Sequence, residues 1–207
     1  MAIKVIICLV LGYIFGCFQT GYFYGKLFKG IDVRNYGSGN AGTTNTLRTL
    51  GKPAGYIVFL GDALKAVFAV WIVRYLLFPG LGDVTKILET VTALGVVIGH
   101  NYPFYMHFKG GKGIAATFGC FLGLLPHWIP LCVLAGIFIF FSCVVKINPN
   151  YYRTVATYIL AAICTVWLEP NRYIVFGFLL IAASVLAKLF MSAEEKEHFE
   201  VKLAWKH

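Results

Sequence analysis

Apolar runs long enough to enter a bilayer recur along this whole chain, and nothing else in the sequence restricts its fold so severely. They fall at Ile3 to Tyr24, Gly55 to Leu77, Ile87 to Gly99, Ile114 to Leu125, Leu131 to Val145, Tyr152 to Leu168 and Tyr173 to Phe190. In hydrocarbon no water satisfies backbone N–H and C=O groups, so only helices or closed barrels cross, and a crossing helix needs about 20 apolar residues. Of the 207 residues, 59% are hydrophobic and 13% charged, against roughly a quarter charged in soluble domains. We expect an all-α integral membrane protein of about seven transmembrane helices, with residues 1–207 forming one bundle domain. The third and fourth runs are short and flank the polar segment His100 to Gly113, as where a loop dips into a bundle and lines a cavity.

Lys and Arg are retained on the cytoplasmic side of a membrane. An external N-terminus and a cytoplasmic C-terminus place Lys26, Lys29, Arg34, Arg48, Lys52, Lys109, Lys112, Lys146, Arg153, Lys188, Lys196, Lys202 and Lys206 inside, leaving Lys4, Arg74, Lys86 and Arg172 outside. The external connections hold Pro79, Gly80, Pro126, Pro130 and Pro170, which break helices and suit turns. The first 23 residues resemble a signal peptide, and Ile14 to Cys17 a lipoprotein cleavage box, but hydrophobic spans continue downstream, so a retained first helix is expected.

The net charge of +9 fits an anionic membrane surface or substrate; nucleic acid is not expected for so apolar a chain. The six cysteines show no CxxC spacing and read as small hydrophobes, not disulfides or metal ligands. Trp128 and Trp167 fit interfacial anchors, and the Glu- and Lys-rich tail from Ala193 to His207 fits a solvated or interfacial helix.

Polarity concentrates in two cytoplasmic segments. The first, Asp32 to Arg48, carries Gly37, Ser38, Gly39, Asn40, Gly42, Thr43, Thr44 and Asn45. Its glycines let backbone N–H groups converge on an anion, a helix starting at Gly42 to Thr46 adds a positive dipole end, and Arg48 can clamp a phosphate. A flexible hydrophilic loop is the alternative. Gly37, Gly39 and Gly42 satisfy GxGxxG with Asp62 twenty residues on, but a dinucleotide site requires a preceding strand, whereas this motif follows a membrane span.

The second segment, Gly99 to Gly113, contains His100, Lys109, Gly110, Gly111, Lys112 and Gly113 and leads into the fourth run. Its glycines can form a second anion cradle with two lysines at a helix N-terminus; it lacks the Walker A pattern. His100 reads as a structural hydrogen-bonding residue or as part of a phosphate site. Asp62 and Lys65 are three apart on one helix and can pair. They are either functional intramembrane charges or a structural pair with Lys65 snorkelling to the interface.

Together the runs Gly37-Ser-Gly-Asn-Ala-Gly-Thr-Thr-Asn-Thr-Leu-Arg48 and Gly99-His-Asn-Tyr-Pro with Phe108-Lys-Gly-Gly-Lys-Gly113, plus Asp62 and Lys65, resemble the signatures of the bacterial acyl-phosphate:glycerol-3-phosphate acyltransferases (PlsY type). The resemblance covers residues 1–130 by motif and the rest by topology. It implies acyl transfer from acyl phosphate to the 1-hydroxyl of glycerol-3-phosphate in phospholipid synthesis, giving lysophosphatidic acid and phosphate. It also implies a cytoplasmic-side site in the bacterial plasma membrane, no cofactor or metal, and a monomer. By position, Ser38, Arg48, His100 and Lys109 would be catalytic. Gly37, Gly39, Asn40, Gly42, Thr43, Asn45, Gly110, Gly111, Lys112 and Gly113 would bind substrate, with Asp62 and Lys65 in support. Tyr105 stands five positions after His100, where another acyltransferase class has Asp. The C-terminal third diverges: Ala187 to Leu203 lacks the family's basic third signature, and Arg153 or Thr154 would have to replace a serine ahead of the sixth span. The competing function is a catalytically altered relative that binds acyl phosphate or phospholipid as a scaffold. A transporter would show repeated halves, which are not found.

Overall fold

The computed structural model describes residues 1–192 and 199–203. Helices α1 (Ala2–Cys17), α2 (Thr20–Lys29), α3 (Thr43–Leu50), α4 (Lys52–Trp71), α5 (Asp83–Asn101), α6 (Ile114–Gly123), α7 (Ile129–Ile139), α8 (Asn150–Leu168) and α9 (Arg172–Phe190) follow in order. Every apolar run contains helix. Three segments are long and apolar enough to cross a membrane: Ala2–Lys29, Lys52–Leu77 and Arg172–Phe190. Helices α5 and α8 have 19 residues each, about 28 Å at 1.5 Å per residue, but turn Glu89, Thr92, Thr157 and Thr165 into the interior. Large side chains such as Leu76, Trp128, Trp167 and Phe176 are exposed on the outer surface, while Ala66, Ala93, Val96, Ala116, Phe121 and Phe178 fill the core.

Lipid tails are as apolar as leucine, so helices associate in a bilayer through close backbone approach at small residues. The α1–α5 contact does this twice. A Cβ at Gly12 or Gly16 would lie 2.2 Å from Thr92 O or 2.1 Å from Val96 O, and one at Gly95 or Gly99 would lie 2.6 Å from Leu9 O or 2.2 Å from Tyr13 O. Two GxxxG stripes therefore face each other, fixing the first helix against the one that carries His100.

The structure departs from the expected pattern in three places. The first run is not continuous: Phe18 and Gln19 are extended between α1 and α2, and buried Gln19 donates from Nε2 to His100 O (2.9 Å) and Gly16 O (3.3 Å). The fold is not purely helical either, because β1 (Val145–Asn148) pairs antiparallel with β2 (Glu200–Leu203), Val145 opposite Leu203 and Asn148 opposite Glu200. Part of the tail expected as helix is thus a strand, whose ladder satisfies backbone groups of both segments; residues 193–198 and 204–207 of that tail lie outside the described residues. Finally, the helical path continues beyond α4 and α7 as wider i→i+5 turns, Ile72–Leu77 and Phe140–Val144.

Candidate active site

The first polar segment is organised by one amide. Buried Asn45, in the first turn of α3, donates from Nδ2 to the carbonyls of Val33 (2.8 Å), Tyr36 (3.0 Å) and Asn40 (2.8 Å), and its Oδ1 accepts the Ser38 N–H (2.8 Å). With both ends of the amide engaged by backbone, Asn45 shapes the loop, so the expected phosphate contact is not what its geometry provides. Gly37 has φ +58, and a Cβ there would lie 2.3 Å from Asn45 Oδ1, so the turn admits only glycine. The loop is tied to the second segment by Arg34. Its guanidinium pairs with Asp32 (Nη2 to Oδ2, 2.7 Å) and donates from Nη1 to the carbonyls of Met106 (3.3 Å) and Lys109 (3.5 Å). Burial pushes the Asp32 carboxyl up, but hydrogen bonds and charge from Arg34 outweigh it and hold the group below its ordinary value. Sequence reasoning passed over Arg34; its signal was the Asp-x-Arg spacing at the head of the segment.

The second segment packs on the C-terminus of α5. Gly110 N–H donates to Asn101 O (3.2 Å) and Gly111 N–H to His100 O (3.0 Å), so these two amides satisfy carbonyls at the helix end. They form no anion cradle, contrary to the sequence-based expectation. A Cβ on Gly111 would lie 2.1 Å from His100 Nε2, and one on Gly110 would lie 2.1 Å from His100 O. Gly113, at φ +81, caps α6 and leaves the first-turn N–H groups of that helix without intrahelical acceptors.

These pieces meet at a cavity of about 260 Å³. Its polar wall comprises Ser38, Asn40, Gly42, Thr43, Thr44, Asn45, Asp62, His100, Lys112, Gly113, Asn150, Arg153 and Thr154, and its apolar wall Phe59, Ile114, Ala115, Phe118 and Phe138. The N-terminal residues of α3, α6 and α8 all line it. Each helix N-terminus carries about half a positive charge, so three of them with Lys112 and Arg153 make a strongly anion-attracting wall. Thr43 Oγ1 and Asp62 Oδ2 are buried there without hydrogen-bond partners among the described residues. The Arg153 guanidinium lies 5.3 Å from the Phe138 ring centroid, where polar and apolar walls adjoin.

Of the expected residues, Ser38, Asn40, Gly42, Thr43, Asn45, His100, Lys112 and Gly113 are brought together, with Asp62. Arg48 and Lys109 are exposed and, like Gly37, Gly39, Gly110 and Gly111, do not line the cavity. Arg153 and Thr154, conjectural from sequence, do line it; Asn150 was missed. Lys65 sits behind the wall, its ammonium 2.9 Å from Asp62 Oδ1 and 2.9 Å from His100 Nδ1. It is buried and does not snorkel.

The chain is similar to proteins of known family. A family model described as glycerol-3-phosphate acyltransferase matches residues 6–196. Similar curated proteins include glycerol-3-phosphate acyltransferases of Staphylococcus haemolyticus, 38% identical over 88% of each chain, and of Staphylococcus aureus, 34% identical over 97% of this chain and 98% of the relative. Crystal structures of PlsY (YgiH), an integral membrane glycerol 3-phosphate acyltransferase, superpose with a TM-score of 0.71. The glycerol 3-phosphate form is 29% identical and the lysophosphatidic acid form 27%, each covering 89% of this chain and 87% of the other.

Proposed function

The chain belongs to the glycerol-3-phosphate acyltransferase family and transfers an acyl group to glycerol-3-phosphate in phospholipid synthesis; from that premise we propose that its donor is an acyl phosphate and that transfer takes place in the cavity beneath α3, α6 and α8. The observation that carries this reading is the joining of three helix N-termini and two cations to an apolar wall in one cavity. Such a site suits a donor whose phosphate and hydrocarbon tail must be held at once. The phosphate rests against the first turns of α3 and α6, where the Ser38 and Thr43 hydroxyls donate hydrogen bonds to it and Lys112 and Arg153, from the same cavity wall, neutralise its charge, and the chain runs along Phe59, Phe118 and Phe138. The 1-hydroxyl of glycerol-3-phosphate attacks the acyl carbon, the bond from that carbon to the phosphate oxygen breaks, and the hydroxyl proton leaves with inorganic phosphate. Acyl phosphate is already activated, so positioning and charge stabilisation drive the step without a covalent enzyme intermediate. Arg48 and Lys109, exposed in the same two segments, add to the positive field that draws anions in.

The distribution of Lys and Arg supports seven crossings, an external N-terminus, a cytoplasmic C-terminus and a site on the cytoplasmic face of a bacterial plasma membrane. Purified protein in liposomes is expected to release phosphate from palmitoyl phosphate only when glycerol-3-phosphate is present, and to leave palmitoyl thioesters untouched. Turnover of the thioester, or none with acyl phosphate in protein shown to be folded, refutes the proposed donor.

A further inference from the structure

A charged cluster stands directly behind the cavity wall, where the first helix is broken. A helix interrupted in mid-membrane leaves carbonyls unsatisfied, and these must find donors in protein. Here the donor is Lys65. Its three N–H donors are shared among four acceptors, Gly16 O (3.1 Å), Phe18 O, Asp62 Oδ1 (2.9 Å) and His100 Nδ1 (2.9 Å). Asp62 Oδ1 also accepts from Thr20 Oγ1 (3.0 Å), the first residue of α2. The break, the second span and the end of α5 are therefore bound together through one nitrogen.

Resting on the acyltransfer reading above, we infer that Lys65 is a positioning residue: its ammonium closes the break between α1 and α2 and fixes the His100 imidazole with its proton on Nε2. An ammonium offers donors only, so the ring nitrogen facing it must be the unprotonated one, and in a neutral ring the other then carries the proton. Nε2 has no protein partner among the described residues, and His100 lines the cavity. The ring is thus set as a hydrogen-bond donor toward bound substrate. Gly111 packs against the Nε2 edge itself, where a Cβ would lie 2.1 Å from that nitrogen, so only glycine leaves space beside the donor. Gln19, which donates to the His100 carbonyl, fixes the backbone beneath it.

The test separates tautomer from turnover. In protein carrying ¹⁵N-histidine and reconstituted in lipid, the signal lost in His100→Gln identifies His100; it is expected to show one protonated nitrogen, Nε2, and Lys65→Met is expected to abolish that single state. Lys65→Met should lower kcat about 100-fold while KM for glycerol-3-phosphate moves less than about threefold, as for a group misplaced in the transition state. His100→Gln, which can keep a donor near Nε2, should retain more activity than His100→Asn, whose amide reaches only to Nδ1. The inference is overturned if His100 carries its proton on Nδ1 or on both nitrogens, or if folded Lys65→Met keeps wild-type kcat. If Lys65→Met does not fold, the two His100 variants decide: Asn matching or exceeding Gln refutes the donor role. Wild-type protein that fails to turn over acyl phosphate would sink the reaction assignment, while the nitrogen spectrum would still judge Lys65.

Discussion

Adding one methyl group at Gly111 tests the packing of the site most directly. The new Cβ would lie 2.1 Å from His100 Nε2, 2.9 Å from Cε1 and 3.0 Å from Cδ2, where ordinary contact begins at 3.4 Å. Relief requires the ring to withdraw by about 1.3 Å, a displacement large enough to cost about 100-fold in rate. Neither partner moves easily: the Gly111 N–H is bonded to His100 O at 3.0 Å, and Nδ1 is 2.9 Å from the Lys65 ammonium. Overpacking a filled interior also costs about 1–3 kcal/mol of stability. Gly111→Ala is therefore expected to lower kcat about 100-fold, or about 2.7 kcal/mol of transition-state stabilisation, and to reduce the unfolding temperature by a few degrees. Phosphate release from palmitoyl phosphate in liposomes reads the first effect and thermal unfolding in detergent the second. Gly136→Ala, where a Cβ meets nothing within 4 Å, serves as control and should leave turnover unchanged. Wild-type kcat in Gly111→Ala would show that His100 is not held by this contact, or that its position does not matter to the reaction.

Other expectations follow from the same geometry. Lys112→Met and Arg153→Met, each removing a cation from the cavity wall, should reduce kcat/KM by about 10²-fold, the scale for losing one preorganised charge-stabilising donor; steady-state kinetics with both substrates checks this. Asn45→Ala should destabilise the protein by about 2–4 kcal/mol through loss of the hydrogen bonds that shape the first loop, measured as a drop in unfolding temperature. The Asp32–Arg34 pair should contribute constant stability above the ordinary carboxylate range of about 4 and lose it only as the pH falls lower still, because the folded carboxyl titrates below its unfolded value. The stability difference between wild type and Asp32→Asn, followed from pH 7 downward, should be flat and then shrink; a loss beginning near neutrality would refute the pairing.

How far the sequence reached can be judged from particular residues. The first loop was legible in its place: Ser38, Asn40, Gly42 and Thr43, singled out by their glycine- and hydroxyl-rich run, all line the cavity, although the Ser38 and Gly39 amides close on Asn45 Oδ1 and Tyr36 O and do not converge on an anion. The second loop was misjudged in one respect: Gly110 and Gly111 have the composition of an anion cradle, but their amides close the end of α5. A glycine demanded by close packing looks the same in sequence as one demanded by a ligand. Arg48 and Lys109 were favoured over Lys112 and Arg153 because spacing along the chain does not say which side of a helix or loop faces a cavity. The glycine pairs at 12, 16, 95 and 99 carried a readable GxxxG signal for helix contact that went unused.

By itself the sequence determined the solvent of this protein and the composition of its site, since long apolar runs can only be helices in lipid and a basic, glycine-rich loop can only be sheltered where they end. Tertiary structure alone decided which cations share the cavity: it broke the first helix at Phe18, placed the Lys65 ammonium in the gap, and set the start of α8 around the same cavity as those of α3 and α6. The ammonium reaches carbonyls 47 and 49 positions away, and although a GxxxG pair marks a helix face that can pack closely, it does not say which distant side chains that packing brings into one cavity.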